Sequence, residues 1–237
     1  MRFRVCVKLK GKPVIPYDHQ YYLASYIYRT VERSDPSYSL DLHKIDVPKP
    51  FTFSYLMAEK RKNLKNGIRI LSDSVYFYIS SPAERFIKGV IDGMLSYPDI
   101  KIGNLKGIIS EVRILQRPKF SKNMTFQTIS PIVVRKPVKK NGRLSGIELY
   151  PTDKEFYTLI EKNLNKKYEL FHKQRINGVV KLNFIHFKPK RHRILNTHYR
   201  CSLGIFQITG NQRLIELGYD VGFGEKNSMG FGMVKVV

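Results

Sequence analysis

The chain has 237 residues, 42% of them hydrophobic, with 15 Tyr and 14 Phe but no Trp, which is enough apolar mass for a folded core and excludes disorder as the main state. Its 42 Lys and Arg against 19 Asp and Glu leave a net charge of +23, and both halves are cationic, so a neutral domain with a basic tail is excluded. Two cysteines exclude a disulfide framework or a Cys-based zinc site; there is no apolar run of membrane-spanning length, and the N-terminus lacks a signal-peptide core, so a cytoplasmic protein is expected.

In chain order, residues 2–9 alternate polar and apolar and predict a strand buried on one face. After Pro13 and Pro16, Asp18 is placed to cap a helix reaching about Arg33, with Leu23, Tyr26, Ile27, Thr30 and Val31 on one stripe. Extended segments follow at 51–57 and 75–80, a helix at about 83–97 with Pro82 in its first turn, and a strand at 108–116. This order is β-α-β-β-α-β. The second half repeats it with a strand at 126–135, a helix capped by Thr152 or Asp153 and reaching about Tyr168, β-rich segments at 179–188 and 197–209 joined by a basic turn, a short helix at 211–217, and a final strand pair at 219–223 and 231–237. The expected fold is α+β, two tandem ferredoxin-like (βαββαβ) domains spanning residues 1–120 and 121–237.

Two segments carry chemistry. From residue 171 to 215 there are nine Lys or Arg and no carboxylate. Within that stretch, KPKRHR (residues 188–193) places Lys188, Lys190, Arg191 and Arg193 near Phe184, Phe187 and Tyr199, the mixture of phosphate-seeking cations and stacking rings that single-stranded RNA requires. The tail GYDVGFGEKNSMGFGMVKVV sets Gly222, Gly224, Gly230 and Gly232 in a G-x-G-x5-G-x-G pattern. It is neither a P-loop nor a dinucleotide fingerprint, because no G-K-[ST] closes it and a strand follows in place of a helix. Glycines so spaced allow backbone N–H groups to approach a phosphate, with Lys226 adding charge. The six histidines show no metal-ligand spacing, so no metal and no cofactor is expected.

The tail closely resembles the glycine-rich loop of the CRISPR-associated repeat-processing endoribonucleases, the Cas-six family of the repeat-associated mysterious protein superfamily. The resemblance continues in PYDHQYYLASYIYRT (residues 16–30), DLHKIDVPKPF (41–51) and FKPKRHRI (187–194). It implies tandem ferredoxin-like domains and metal-independent cleavage of precursor CRISPR RNA within its repeats, leaving 5′-hydroxyl and 2′,3′-cyclic phosphate ends. The family's catalytic tyrosine, histidine and lysine fall by motif on Tyr28, His43 and Lys49. Imidazole titrates near neutrality and suits the acid role, lysine suits the crowded phosphorane, and a tyrosine is a poor base unless nearby cations lower it. CRISPR repeat RNA is the expected partner, with other CRISPR-associated proteins beside it and a monomer or homodimer as the assembly. The alternative is a relative that holds repeat RNA without cutting it.

Overall fold

The first strand shows how the chain is built. In the computed structural model, which describes residues 1–44, 48–140 and 143–237, β1 (Arg2–Leu9) buries Phe3, Val5 and Val7 completely, as alternation requires. It is followed by β2 (Val14–Ile15), α1 (His19–Ser34), α2 (Pro36–His43), β3 (Thr52–Phe53), β4 (Arg61–Leu64), β5 (Gly67–Ile70), β6 (Ser74–Ser80), α3 (Glu84–Ser96), β7 (Asp99–Ile102) and β8 (Leu105–Ile114). The main sheet runs β3-β6-β1-β8-β7, with β1 antiparallel to both β6 and β8. Counted as strands 2-3-1-4, the first four have the ferredoxin-like order, with β7 added at the edge and β2-β5-β4 as a small separate sheet. α1 and α3 bury Leu23, Ile27, Val31, Phe86, Val90 and Met94 in one core with the sheet.

The second unit contains β9 (Asn123–Thr128), β10 (Val134–Lys140), β11 (Arg143–Leu149), α4 (Glu155–His172), β12 (Val180–Ile194), β13 (Thr197–Gly210), α5 (Gln212–Val221) and β14 (Val234–Val236). Its sheet order, β12-β13-β9-β14, is again 2-3-1-4, and its core gathers Phe126, Phe156, Phe206 and Phe223. The chain is therefore two ferredoxin-like units in tandem. No helix among the described residues is long and apolar enough to cross a membrane.

Several local expectations are corrected. The strand expected at 126–135 is two elements: β9 ends at Thr128, and Ile132 and Val133 are buried between it and the β10–β11 ribbon. The basic run is not a turn. Residues 188–193 lie within β12, and the reversal falls beyond Ile194, where Leu195 has a φ of 51°. Pro189 reads as a breaker but is tolerated because β12 is an edge strand, where a missing N–H costs no ladder bond. The expected strand at 219–223 is helical to Val221, because Gly218 is no stop: a Cβ there would lie 2.4 Å from the Phe223 ring, so the bare Cα admits that ring. The glycine-rich tail accordingly joins a helix to a strand. Asp18 precedes α1 without a side-chain capping bond, and α4 starts after Lys154, with the Asp153 carboxylate accepting from the Tyr150 N–H at 2.7 Å. Pro82 precedes α3, which begins at Glu84.

Two polar contacts, one buried and one partly exposed, tie the units together. Arg2, 6% exposed, stacks on Tyr219 and donates to the carbonyls of Val234 and Tyr219, both at 2.6 Å. Arg117 grips both carboxylate oxygens of Asp220 at 2.9 Å.

Candidate functional site

α2 was not expected from the sequence, and it positions one of the motif residues. Asp35 caps it, accepting from the Tyr38 N–H at 3.0 Å, and Pro36 occupies its first turn. Arg85 of α3 holds the same carboxylate through two bonds of 2.6 and 2.8 Å. Pinned at that end, α2 carries His43 at its last position, where the imidazole stacks on Tyr28 of α1 with ring centroids 5.2 Å apart. Tyr28 also meets the edge of Phe51 at 5.6 Å and is half-buried. Burial raises its phenol above the ordinary value, and a hydrogen bond with Ser228 opposes that shift more weakly. An open cavity of about 570 Å³ beside the pair is lined by Tyr21, Tyr22, Ser25, Arg29 and Met229.

Lys49 lies just beyond residues 45–47, the part of the motif outside the described residues. Its ammonium donates to the Lys44 carbonyl, and the side chain lines a second cavity, of about 370 Å³, with Lys226, Asn227 and Ser228. Tyr28 and His43 thus share one cavity and Lys49 lines another, with Ser228 lining the second and hydrogen-bonded to Tyr28.

Ser228 belongs to the glycine-rich tail, which is buried between the units. Gly222, Gly224, Gly230 and Gly232 all have positive φ, from 72° to 89°. At Gly232 a Cβ would stand 2.0 Å from the Phe223 carbonyl, so close backbone approach dictates glycine there. The amides of Gly222, Gly230 and Gly232 bond to the carbonyls of Gly218, Asn227 and Pro131. The loop is seated on the first unit by Gln20, which donates to the Gly230 carbonyl, and by Thr52, which donates to the Phe231 carbonyl at 2.9 Å.

From the other side the loop is held by Lys167, which is 4% exposed. Its ammonium donates to the carbonyls of Gly222 (2.9 Å) and Gly224 (2.7 Å) and to Asn227 Oδ1 (2.7 Å). Three acceptors match the three donors of a protonated amine; burial works against the charge and pushes the group down to about 7, with Glu225 opposing. Sequence reasoning missed Lys167. The available signal was its place on the apolar stripe Phe156, Ile160, Leu164, where a lysine has no ordinary reason to be.

The basic strand faces a third cavity, of about 690 Å³, between the units. Lys190, Arg191 and Arg193 line it with Arg61 and Lys235; these cations of β12 are exposed, as is Lys188. At its base lies a cluster that sequence reasoning also missed. The Tyr55 hydroxyl is 3.4 Å from His192 Nδ1, the His19 ring is 5.6 Å from the Tyr55 ring, and His192 Nε2 is buried with no partner. Burial pushes both imidazoles down to about 4 and raises Tyr55.

Two ferredoxin-like units clasping a glycine-rich loop, with cation-lined cavities along the seam, define a recognisable class, and comparison with known proteins specifies it. The family model described as CRISPR-associated protein Cas6, N-terminal, matches residues 14–113, and that described as CRISPR associated protein Cas6, C-terminal, matches residues 115–236. A CRISPR-associated endoribonuclease Cas6 of Methanocaldococcus jannaschii is 40% identical over 99% of this chain and 92% of its own length. The Cas6 endoribonuclease of Pyrococcus furiosus is 36% identical over 94% and 83%. A solved structure described as a RAMP protein binding different RNA substrates superposes with a TM-score of 0.92 at 32% identity, covering 100% of this chain and 99% of that one. The chain belongs to the Cas6 family.

Proposed function

We propose that this protein is an endoribonuclease that binds CRISPR repeat RNA and cuts it without a metal ion, through attack of the 2′-hydroxyl on the adjacent phosphate. The observation that carries the reading is the Tyr28–His43 stack, closed by Ser228 of the glycine-rich loop, in a chain 40% identical to a Cas6 endoribonuclease. The N-terminal unit, residues 1–120, supplies Tyr28, His43 and Lys49, and the C-terminal unit, residues 121–237, supplies the loop and the basic strand.

In this scheme the 2′-oxygen bonds to phosphorus as the bond to the 5′-oxygen breaks. His43 delivers a proton to the departing 5′-oxygen, and Lys49 offsets charge on the crowded phosphate. Burial holds the Tyr28 phenol protonated, so it orients the 2′-hydroxyl by hydrogen bonding and the hydroxyl proton passes to water. The products are a 2′,3′-cyclic phosphate and a 5′-hydroxyl. Lys188, Lys190, Arg191, Arg193 and Lys226 contact the RNA backbone, while the four glycines shape the loop that presents Ser228.

The test is a repeat RNA with one 2′-deoxy substitution at the cut site, incubated in excess chelator beside the unmodified RNA. Cleavage of the unmodified RNA alone is expected. Cleavage of the deoxy RNA, or a requirement for magnesium, would overturn the mechanism; binding without any cleavage would favour the non-cutting alternative.

A further inference from the structure

The face of α4 beside the glycine-rich loop has features that the catalytic reading does not use. Two cavities, of about 390 and 370 Å³, meet there and share Pro48, Asn163, Lys166, Lys167 and Gly224. Lys162 joins the first and Lys49 and Lys226 the second. Among the described residues their single carboxylate is Glu225, already engaged by Arg135 at 2.6 Å. Lys162 and Lys166 are exposed, and neither forms an ion pair or hydrogen bond among the described residues. Asn163 lies between them, and its carboxamide oxygen is buried without a partner. Lysines gathered in a groove whose one described carboxylate is already paired repel one another, and an anion relieves that repulsion.

We propose that this groove is a nucleotide subsite, in which Lys162 and Lys166 hold the phosphate of a nucleotide next to the cut while the polar end of Asn163 hydrogen-bonds to its sugar or base. The inference rests on the RNA-cutting reading above, and its position follows from continuity. Lys49 lines the second cavity directly, and Ser228 connects that cavity to Tyr28, so a strand crossing the Tyr28–His43 stack enters the groove at its next residue. The buried Lys167 forms the floor and is committed to the loop, which leaves the two exposed lysines to meet the ligand.

The experiment uses the whole protein and a repeat RNA carrying single methylphosphonate substitutions, which remove one backbone charge at a time. For the unaltered protein we expect weakened binding when the neutral linkage stands next to the cut. The double variant Lys162→Ala/Lys166→Ala should lower affinity and reduce the log–log salt slope by about 1, and it should no longer respond to that substitution. Both side chains are exposed on one helix, so the fold is expected to be retained, and circular dichroism checks it. Lys101→Ala/Lys106→Ala, on the β7–β8 hairpin outside both of these cavities, removes the same charge and should keep the site-specific response. If the α4 variant still responds at the same linkage, or binds as the unaltered protein does, the subsite is overturned while the function stands. If the unaltered protein neither binds nor cuts repeat RNA, the function falls and takes the subsite with it.

Discussion

At the residue scale, the three motif side chains differ in what holds them. His43 is exposed at the end of a two-turn helix whose other end is fixed by Asp35 and Arg85, so its alanine variant removes chemistry and little packing. His43→Ala is expected to slow single-turnover cleavage by about 10²–10⁴ with affinity nearly unchanged, the usual loss for a general acid. A fall in affinity that accounts for the whole effect would reassign it to binding. Tyr28→Phe should cost less, because burial keeps the phenol protonated and its part is orientation. Lys167 offers a second test at this scale. Folding pushes its amine down to about 7, well below the ordinary lysine value, so between those limits the unfolded chain binds the proton that the folded protein has released. The stability of the unaltered protein relative to Lys167→Met should therefore rise with pH above 7, by at most about 1.4 kcal/mol per pH unit. Chemical denaturation of both proteins at pH 7, 8 and 9 reads the slope. A flat difference would place the amine in its ordinary range.

At the element scale, the glycine-rich loop is a packed connector whose backbone is in contact on several sides. Gly11 provides the comparison: its φ is 94°, but a Cβ there would meet nothing within 4 Å. Gly11→Ala should cost only the left-handed strain, about 1–2 kcal/mol. Gly232→Ala adds a collision with the Phe223 carbonyl and should cost at least twice as much in denaturation experiments. Equal losses would show that the loop gives way and that approach is not what requires glycine. The elements that were legible in the sequence were those with long periodic patterns. α1 showed its stripe of Leu23, Ile27 and Val31, and β1 its alternation, because each buries one face against a large core. α2 escaped notice because it has only two turns and buries just Ser39 and Leu42, and its start is marked only by the local pair Asp35 and Pro36. The basic run at 188–193 read as a turn because charge and Pro189 suit a loop, and only its place in an edge strand makes them compatible with pairing. In the candidate site, Tyr28, His43 and Lys49 came from local motifs. Lys167 and Ser228 act through contacts 55 to 200 residues away in sequence, and no local pattern announces such contacts.

At the scale of the whole molecule, the seam between the units is held by groups whose charge state matters. Arg2 and the Arg117–Asp220 pair cross it as charged contacts, while His19 and His192 are buried beside it as neutral rings around Tyr55. Around those rings lie Arg61 and Lys190, which disfavour further positive charge, and Asp18, which favours it near His19; burial is the largest influence and brings both imidazoles to about 4. An unfolded histidine titrates near 6.5, so as pH falls from 7 the unfolded chain takes up protons that the folded protein refuses. The stabilisation is complete above the unfolded value and is lost progressively as pH falls from about 6.5 toward 4. Stability should therefore decline between pH 7 and pH 5, above the range where carboxylates dominate, with a slope approaching two protons. Urea unfolding at half-unit pH intervals measures that slope, and His19→Gln/His192→Gln should flatten it whatever the variant's stability at pH 7. Each single variant should keep about half. If the double variant retains the full slope, the protons are taken up elsewhere and the two rings are not the acid-sensitive part of the seam.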